Sequence, residues 1–221
     1  MTSMYDLHTH STLSDGDMLP IELVRRASVL GYRILAITDH VDSGNLSQVI
    51  AAQVPLKDLA AAYGVTLLTG VEITHVPPSH IPLLARRAKD EGADIVVVHG
   101  ETVVEPVAPG TNLAACTCQE VDLLAHPGLI TAEVAREATL RGIALEVTSR
   151  AGHNRTNGHV VLEARSAGCT VVVDSDAHSP HDLMDGDARE AVARGAGLSA
   201  SEAAAALHLN IEKWLFYRGS I

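Results

Sequence analysis

A parallel α/β barrel of about seven strand–helix units is the fold that the sequence predicts. Seven short apolar runs alternate with longer stretches of helical spacing, the order that builds a parallel sheet with helices outside it. The runs are β-branched and apolar almost throughout, as strands covered on both faces should be. The 221 residues suit one such barrel, and no linker, low-complexity block or repeat marks a second domain, so 1–221 reads as a single domain. Periodicity alone also allows a doubly wound open sheet; the length favours a closed or nearly closed barrel.

From the N-terminus, "MYDLH" (4–8) is the first strand, and the first helix covers 20–30, opened by Pro20 and stopped by Gly31. "RILAIT" (33–38) precedes a helix over 47–63, and "VTLLTGVE" (65–72) a helix over 79–91. After "DIVVVHG" (94–100) comes an irregular stretch, 100–118, read as a functional loop with a short helix. "VDLLAH" (121–126) leads to a helix over 131–141, with Thr131 as N-cap and Gly142 as terminator. "IALEVT" (143–148) leads to a helix over 157–167, and "TVVVDS" (170–175) to helices over 186–194 and 201–216.

Composition narrows the function classes. Hydrophobic residues make up 47% and charged residues 19%, a globular balance. Aromatics are only 3%, which leaves no stacking platform for bases or sugars. The net charge of −11 and the lack of a basic run argue against a long nucleic-acid partner. Cys116, Cys118 and Cys169 form no C-x-x-C and read as buried or free thiols in a reducing compartment. The start "MYDLH" carries no signal-peptide pattern, and no apolar run approaches the ~20 residues of a membrane span, so a cytoplasmic protein is expected.

The polar residues carry the functional signal. In "YDLHTHSTLSDGD" (5–17), His8 and His10 lie two apart where the first strand ends, with Asp6 in phase, so all three are expected to project to one side. An isolated H-x-H on a wet surface is common, and only the rest of the chain settles it. His40 closes the second strand, Glu72 the third, His99 the fourth and His126 the fifth; Asp176 and His178 follow the last. In a parallel barrel those ends share one face, where active sites of such folds are built. The six remaining histidines (His75, His80, His153, His159, His181, His208) lie in helices or loops, and most are expected in solvent.

Imidazoles and carboxylates without thiolates suit zinc, manganese or iron rather than calcium. With Asp15 included, the donors are too many for one tetrahedral ion, so two or three divalent ions are expected, with a carboxylate such as Glu72 bridging them. Such ions acidify water to a hydroxide nucleophile and clamp phosphoryl oxygens, which points to phosphoester hydrolysis. Arg150, in "TSRAGHNRTNGH" (148–159), would face the same mouth and suits a phosphate. Ser149, His153, Asn154 and Asn157 are further candidates to line that loop.

Together, "DLHTHSTLSDG", "AITDH", "GVE", "VVHG", "LAHPG" and "DSDAHSP" resemble, in order and spacing, the polymerase and histidinol phosphatase (PHP) superfamily over most of the chain. The resemblance implies a distorted (β/α)7 barrel with a trinuclear site. It assigns His8, His10, Glu72 and Asp176 to the first ion, Glu72, His99 and His126 to the second, and Asp15, His40 and His178 to the third. Some relatives carry His where this chain has Asp15. The chain also resembles a short stand-alone archaeal-type group, through "THVPP" (74–78) and "VVHGETVVEPVAPGTN" (97–112). The expected activity is a phosphomonoesterase, histidinol-phosphatase-like, acting on a small phosphorylated metabolite, with Arg150, Asp176 and His178 catalytic. A phosphodiesterase or nuclease on short nucleotides is one alternative; a non-catalytic metal-binding module that docks a partner is another.

Overall fold

The computed structural model describes residues 4–218. Its strands are β1 (Met4–Asp6), β2 (Tyr32–Ile37), β3 (His40–Val41), β4 (Thr66–Ile73), β5 (Ile95–His99), β6 (Leu123–Ala125), β7 (Ala144–Thr148) and β8 (Val171–Asp174). All pairings are parallel, in the order β1-β2-β4-β5-β6-β7-β8, with β3 on β4. Seven strands were expected and eight segments are found. The second expected strand breaks at Thr38–Asp39 and resumes as β3; both pieces pair with β4. The barrel is α/β and nearly closed, as the sequence predicts.

Between β1 and β8 no ladder forms. Side chains span the seam: Asp174 Oδ1 accepts from Leu7 N (2.9 Å) and Asp6 Oδ1 from Ser175 N (3.2 Å). Beyond the strands a single Thr9–Ala177 bridge follows, with His10 N donating to Ala177 O at 2.8 Å.

Helices cover the outside where their signals place them: α1 (Pro20–Leu30), α4 (Ile81–Asp90), α6 (Ala132–Arg141), α7 (Asn157–Ala167) and α8 (Gly186–Gly195). Thr131 does cap α6, its hydroxyl accepting from Val134 N, and Gly31 and Gly142 end their helices. Two expected helices are each split. The stretch 47–63 becomes α2 (Leu46–Gln53), a 3-10 turn (Val54–Leu56) and α3 (Lys57–Ala62), because Pro55 has no N–H to continue the ladder. The stretch 201–216 becomes α9 (Ala200–Leu207) and α10 (Ile211–Arg218), and the Asn210 side chain accepts from Lys213 N to start the second. The loop after β5 holds the short α5 (Thr111–Cys116).

The split lets α9 pack with α7 and α8 while α10 turns under the barrel. Ile211 and Leu215 join the barrel interior with Tyr5, Ile34, Ile95 and Val172. Arg218 seals that end. Its guanidinium donates to Asp122 Oδ1 (2.9 Å), to Gln119 O (2.9 Å) and to the carbonyls of Val121 and Arg141. The three cysteines are free, and burial pushes the Cys118 thiol up to about 11. Among the described residues no helix is long and apolar enough to cross a membrane.

Candidate metal centre

The barrel mouth at the C-terminal strand ends gathers nine of the expected residues. His8 and His10 are fully buried and face each other with their Nε2 atoms 3.1 Å apart. Glu72, inward on β4, lies among four rings: 3.3 Å from His8, 3.7 Å from His10, 2.7 Å from His40 and 3.6 Å from His126. Asp176 Oδ1 approaches His10 (3.2 Å) and His8 (3.7 Å). Asp15, on the loop after β1, stands 3.4 Å from His178, 3.6 Å from His40 and 3.8 Å from His10. Ligand atoms within metal-sharing distance form overlapping groups: His8, His10 and Glu72; His10, Asp15, His40 and His178; His99, His126 and His153; His8, His126 and Glu146.

Local structure aims these side chains. Asp39 accepts from Ser11 and Ser14 and so shapes the turn that presents Asp15. His126 (φ 24°) and Asp176 (φ 51°) sit at positive φ just past their strands, a strain of about 1–3 kcal/mol each that turns both into the mouth. Gly128, in "HPG", has φ 63°, and a Cβ there would lie 1.9 Å from Glu101 O, so only glycine lets the two loops touch behind His126.

Ring orientation is fixed from behind. Glu146 Oε1 lies 2.7 Å from His8 Nδ1, which leaves Nε2 toward Glu72 and Asp176. His178 and His99 donate from Nδ1 to the carbonyls of Asp176 (2.9 Å) and Gly100 (3.1 Å).

Charge is unevenly held. Burial would push His8 down, but Glu146, Asp176 and Glu72 outweigh it and hold the ring well above its ordinary value. Burial and the neighbouring His40 depress His10; burial and His99 depress His126. Glu72 is held well below the carboxylate range because His8, His40 and His99 overcome its burial, whereas burial lifts Asp176. His40, beside Glu72, is raised to about 9 despite burial. Several buried atoms have no hydrogen-bond partner: Glu72 Oε1, His10 Nδ1, His126 Nδ1 and His153 Nδ1. Buried lone pairs without donors suit a cation.

Two expectations change. Asp6 does not point with His8 and His10; its carboxylate serves the β1–β8 seam, where backbone N–H groups lack a ladder. Asn157 braces Thr148 rather than lining the mouth. His153, a candidate to line the 148–159 loop, is buried in the group with His99 and His126. Glu146 was not singled out, although one carboxylate inside an apolar strand is itself a signal that something must balance it. Arg150 stands at the rim, 3.5 Å from Asp182, whose carboxylate also accepts from His178 N and Ser179 N. A cavity of about 500 Å³ opens at His40, lined also by Asp15, Asn45, Thr74, His75 and Glu105.

Residues 3–219 match the family model described as RNase P subunit p30. An uncharacterized protein of Methanocaldococcus jannaschii is 48% identical over 200 residues, 90% of this chain and 92% of its own length. A 5'-3' exoribonuclease of Haemophilus influenzae is 43% identical over 74 residues, 34% of this chain and 24% of that protein. A 3',5'-nucleoside bisphosphate phosphatase of Chromobacterium violaceum is 41% identical over 69 residues, 31% of this chain and 22% of that protein. Both of these matches thus span about a quarter of the bacterial proteins. In fold the chain is similar to the histidinol phosphate phosphatase of Lactococcus lactis, solved with zinc, L-histidinol and phosphate (TM-score 0.62, 17% identity, 89% of this chain and 95% of that one).

Proposed function

Because the chain belongs to the RNase P subunit p30 family and is a PHP-superfamily domain, we propose that it is a metal-dependent phosphoesterase acting on a small phosphorylated metabolite. One observation carries the reading: the three groups His8–His10–Glu72, His10–Asp15–His40–His178 and His99–His126–His153 open on one mouth, and the first two share His10. Two or three divalent cations, of zinc, manganese or iron, fit these donors. When bound, they supply Lewis acidity toward phosphoryl oxygens and a water acidified toward neutrality.

The chain's own residues do the rest. Glu146 holds the His8 ring in place, and Glu72 balances the charge of the imidazoles around it. Arg150 swings from Asp182 to take two phosphoryl oxygens with its planar fork. Asp176, just past β8, would carry the proton to the leaving oxygen, while His178, with Nδ1 donating to Asp176 O and Nε2 turned toward Asp15, would steady that loop. The cavity between Asp15 and Glu105 takes the leaving group, whose hydroxyls or amines find carboxylate acceptors there.

The test is phosphate release from a panel of phosphorylated metabolites by protein loaded with zinc, manganese or iron. Release from none of them, with every metal, overturns the reading. Arg150→Ala is expected to raise KM about 10–100-fold, the loss of one charged hydrogen-bonding group, with metal content unchanged. The partial match to an exoribonuclease favours a second reading, a diesterase on short nucleotides. Comparing nitrophenyl phosphate with its bis-ester separates the two: faster turnover of the bis-ester supports the diesterase.

A further inference from the structure

Two side chains outside the expected set of nine reach the same mouth. His153 lies in the 3-10 turn His153–Thr156 after β7, buried, with its ring centroid 4.2 Å from that of His126 and 5.8 Å from that of His99. One ligand atom from each of the three rings lies within 4.8 Å of the other two. His99 spends its Nδ1 on Gly100 O, so its Nε2 faces the group, while His126 and His153 each keep a buried Nδ1 without a partner. Glu72, assigned by resemblance to the ion of His99 and His126, groups with His8 and His10 and keeps an oxygen 3.6 Å from His126 Nε2.

Glu105 stands over this trio. Its Oε2 lies 3.8 Å from Nε2 of both His99 and His153, and its Oε1 lies 3.6 Å from His75. The segment that carries it, 101–110, is fastened at its base by Glu101, which accepts from Gly110 N and Asn112 N. Near its tip Val104 packs on Gly152, the residue before His153: a Cβ there would meet Val104 at 3.2 Å, and φ is 90°. One contact therefore ties the position of Glu105 to that of His153.

We infer that His99, His126 and His153 hold one divalent cation through three nitrogens, with Glu105 as a fourth, exchangeable ligand that yields to a substrate oxygen. The inference rests on the proposed reading of the mouth as a metal centre. Zinc bonds of ~2.0–2.1 Å place tetrahedral ligand atoms roughly 3.3–3.4 Å apart, so the 3.8 Å approaches of Glu105 need only a small inward shift. Three imidazoles with a replaceable fourth ligand form a catalytic zinc pattern, and nitrogen-rich donors select against magnesium and calcium. The fourth position belongs to a surface-exposed carboxylate on a loop, which can leave without disturbing the buried rings.

The test strips the full chain of metal and titrates it with cobalt alone, following visible absorption, and with zinc alone, measuring bound equivalents by elemental analysis. His153→Ala is expected to weaken one equivalent by more than ~100-fold, beyond the loss typical of an outer-shell change, and to remove its cobalt band while the others stay. His153→Phe fills the same space without a donor and should behave alike; His153→Cys restores a donor and should recover the equivalent. Glu105→Gln is expected to keep the equivalent, alter the cobalt band and bind inorganic phosphate about ten-fold tighter. Wild-type equivalents and spectrum in His153→Phe overturn the assignment of His153. An unaltered band and unaltered phosphate affinity in Glu105→Gln overturn that of Glu105. A wild-type chain that binds no cobalt fails the metal-centre reading itself, a separate outcome.

Discussion

Glu72→Gln is expected to leave a folded protein that has lost metal and turnover. Glutamine keeps the volume on β4 but replaces a charged acceptor that stands 2.7–3.7 Å from the four rings of His8, His10, His40 and His126. His8, His40 and His99 hold the carboxylate ionised despite its burial, and its charge is what lets divalent ions share so small a space. Removing it forfeits several kcal/mol of charge stabilisation, and kcat/KM is expected to fall about 10³-fold. Elemental analysis and phosphate release measure the two effects on one preparation, with circular dichroism as the check on folding. Full metal content and full turnover in this variant would remove Glu72 from the centre.

Arg218→Ala acts at the opposite end of the barrel and is expected to lower stability by about 3–5 kcal/mol. The Arg218 side chain is 4% exposed, and the substitution removes one ion-pair partner from the buried Asp122, which keeps Lys89, and strips donors from the carbonyls of Gln119, Val121 and Arg141. At this chain length each kcal/mol shifts Tm by about 2–4 °C, so a fall on the order of 10 °C is expected in a thermal melt. The phosphatase panel should be little affected below the new Tm, because the mouth is built at the other ends of the strands. A loss under ~1 kcal/mol would show that α10 is not seated by this residue.

The mouth was legible because parallel strands put their C-terminal ends together, so a residue's place at a strand end already fixes its place in space. His8, His40, Glu72, His99, His126 and Asp176 needed only that rule. Glu146 and His153 did not follow from it. Glu146 lies inside β7 rather than at its end, and its role depends on which ring stands across the barrel. His153 is carried by a 3-10 turn whose path is set by the contact of Gly152 with Val104, two residues far apart in the chain. Apolar spacing registers neither. The same holds for the C-terminal region, where 201–216 has helical spacing throughout, yet α10 must leave the line of α9 to close the barrel. Asp6 shows the limit of the alternation rule: β1 ends at this residue, before His8, and a strand pair without a ladder claims its oxygen.

That unladdered pair gives the mouth a second meaning. His8 and His10 belong to the opening turn of the chain, and Asp176 and His178 to the stretch after the final strand; they meet across the slit between β1 and β8. A hoop with one open joint is only as rigid as whatever crosses the joint. Here two carboxylates, one bridge and the converging rings cross it, so any ion that gathers those rings is also the rivet that makes head and tail of the barrel one body.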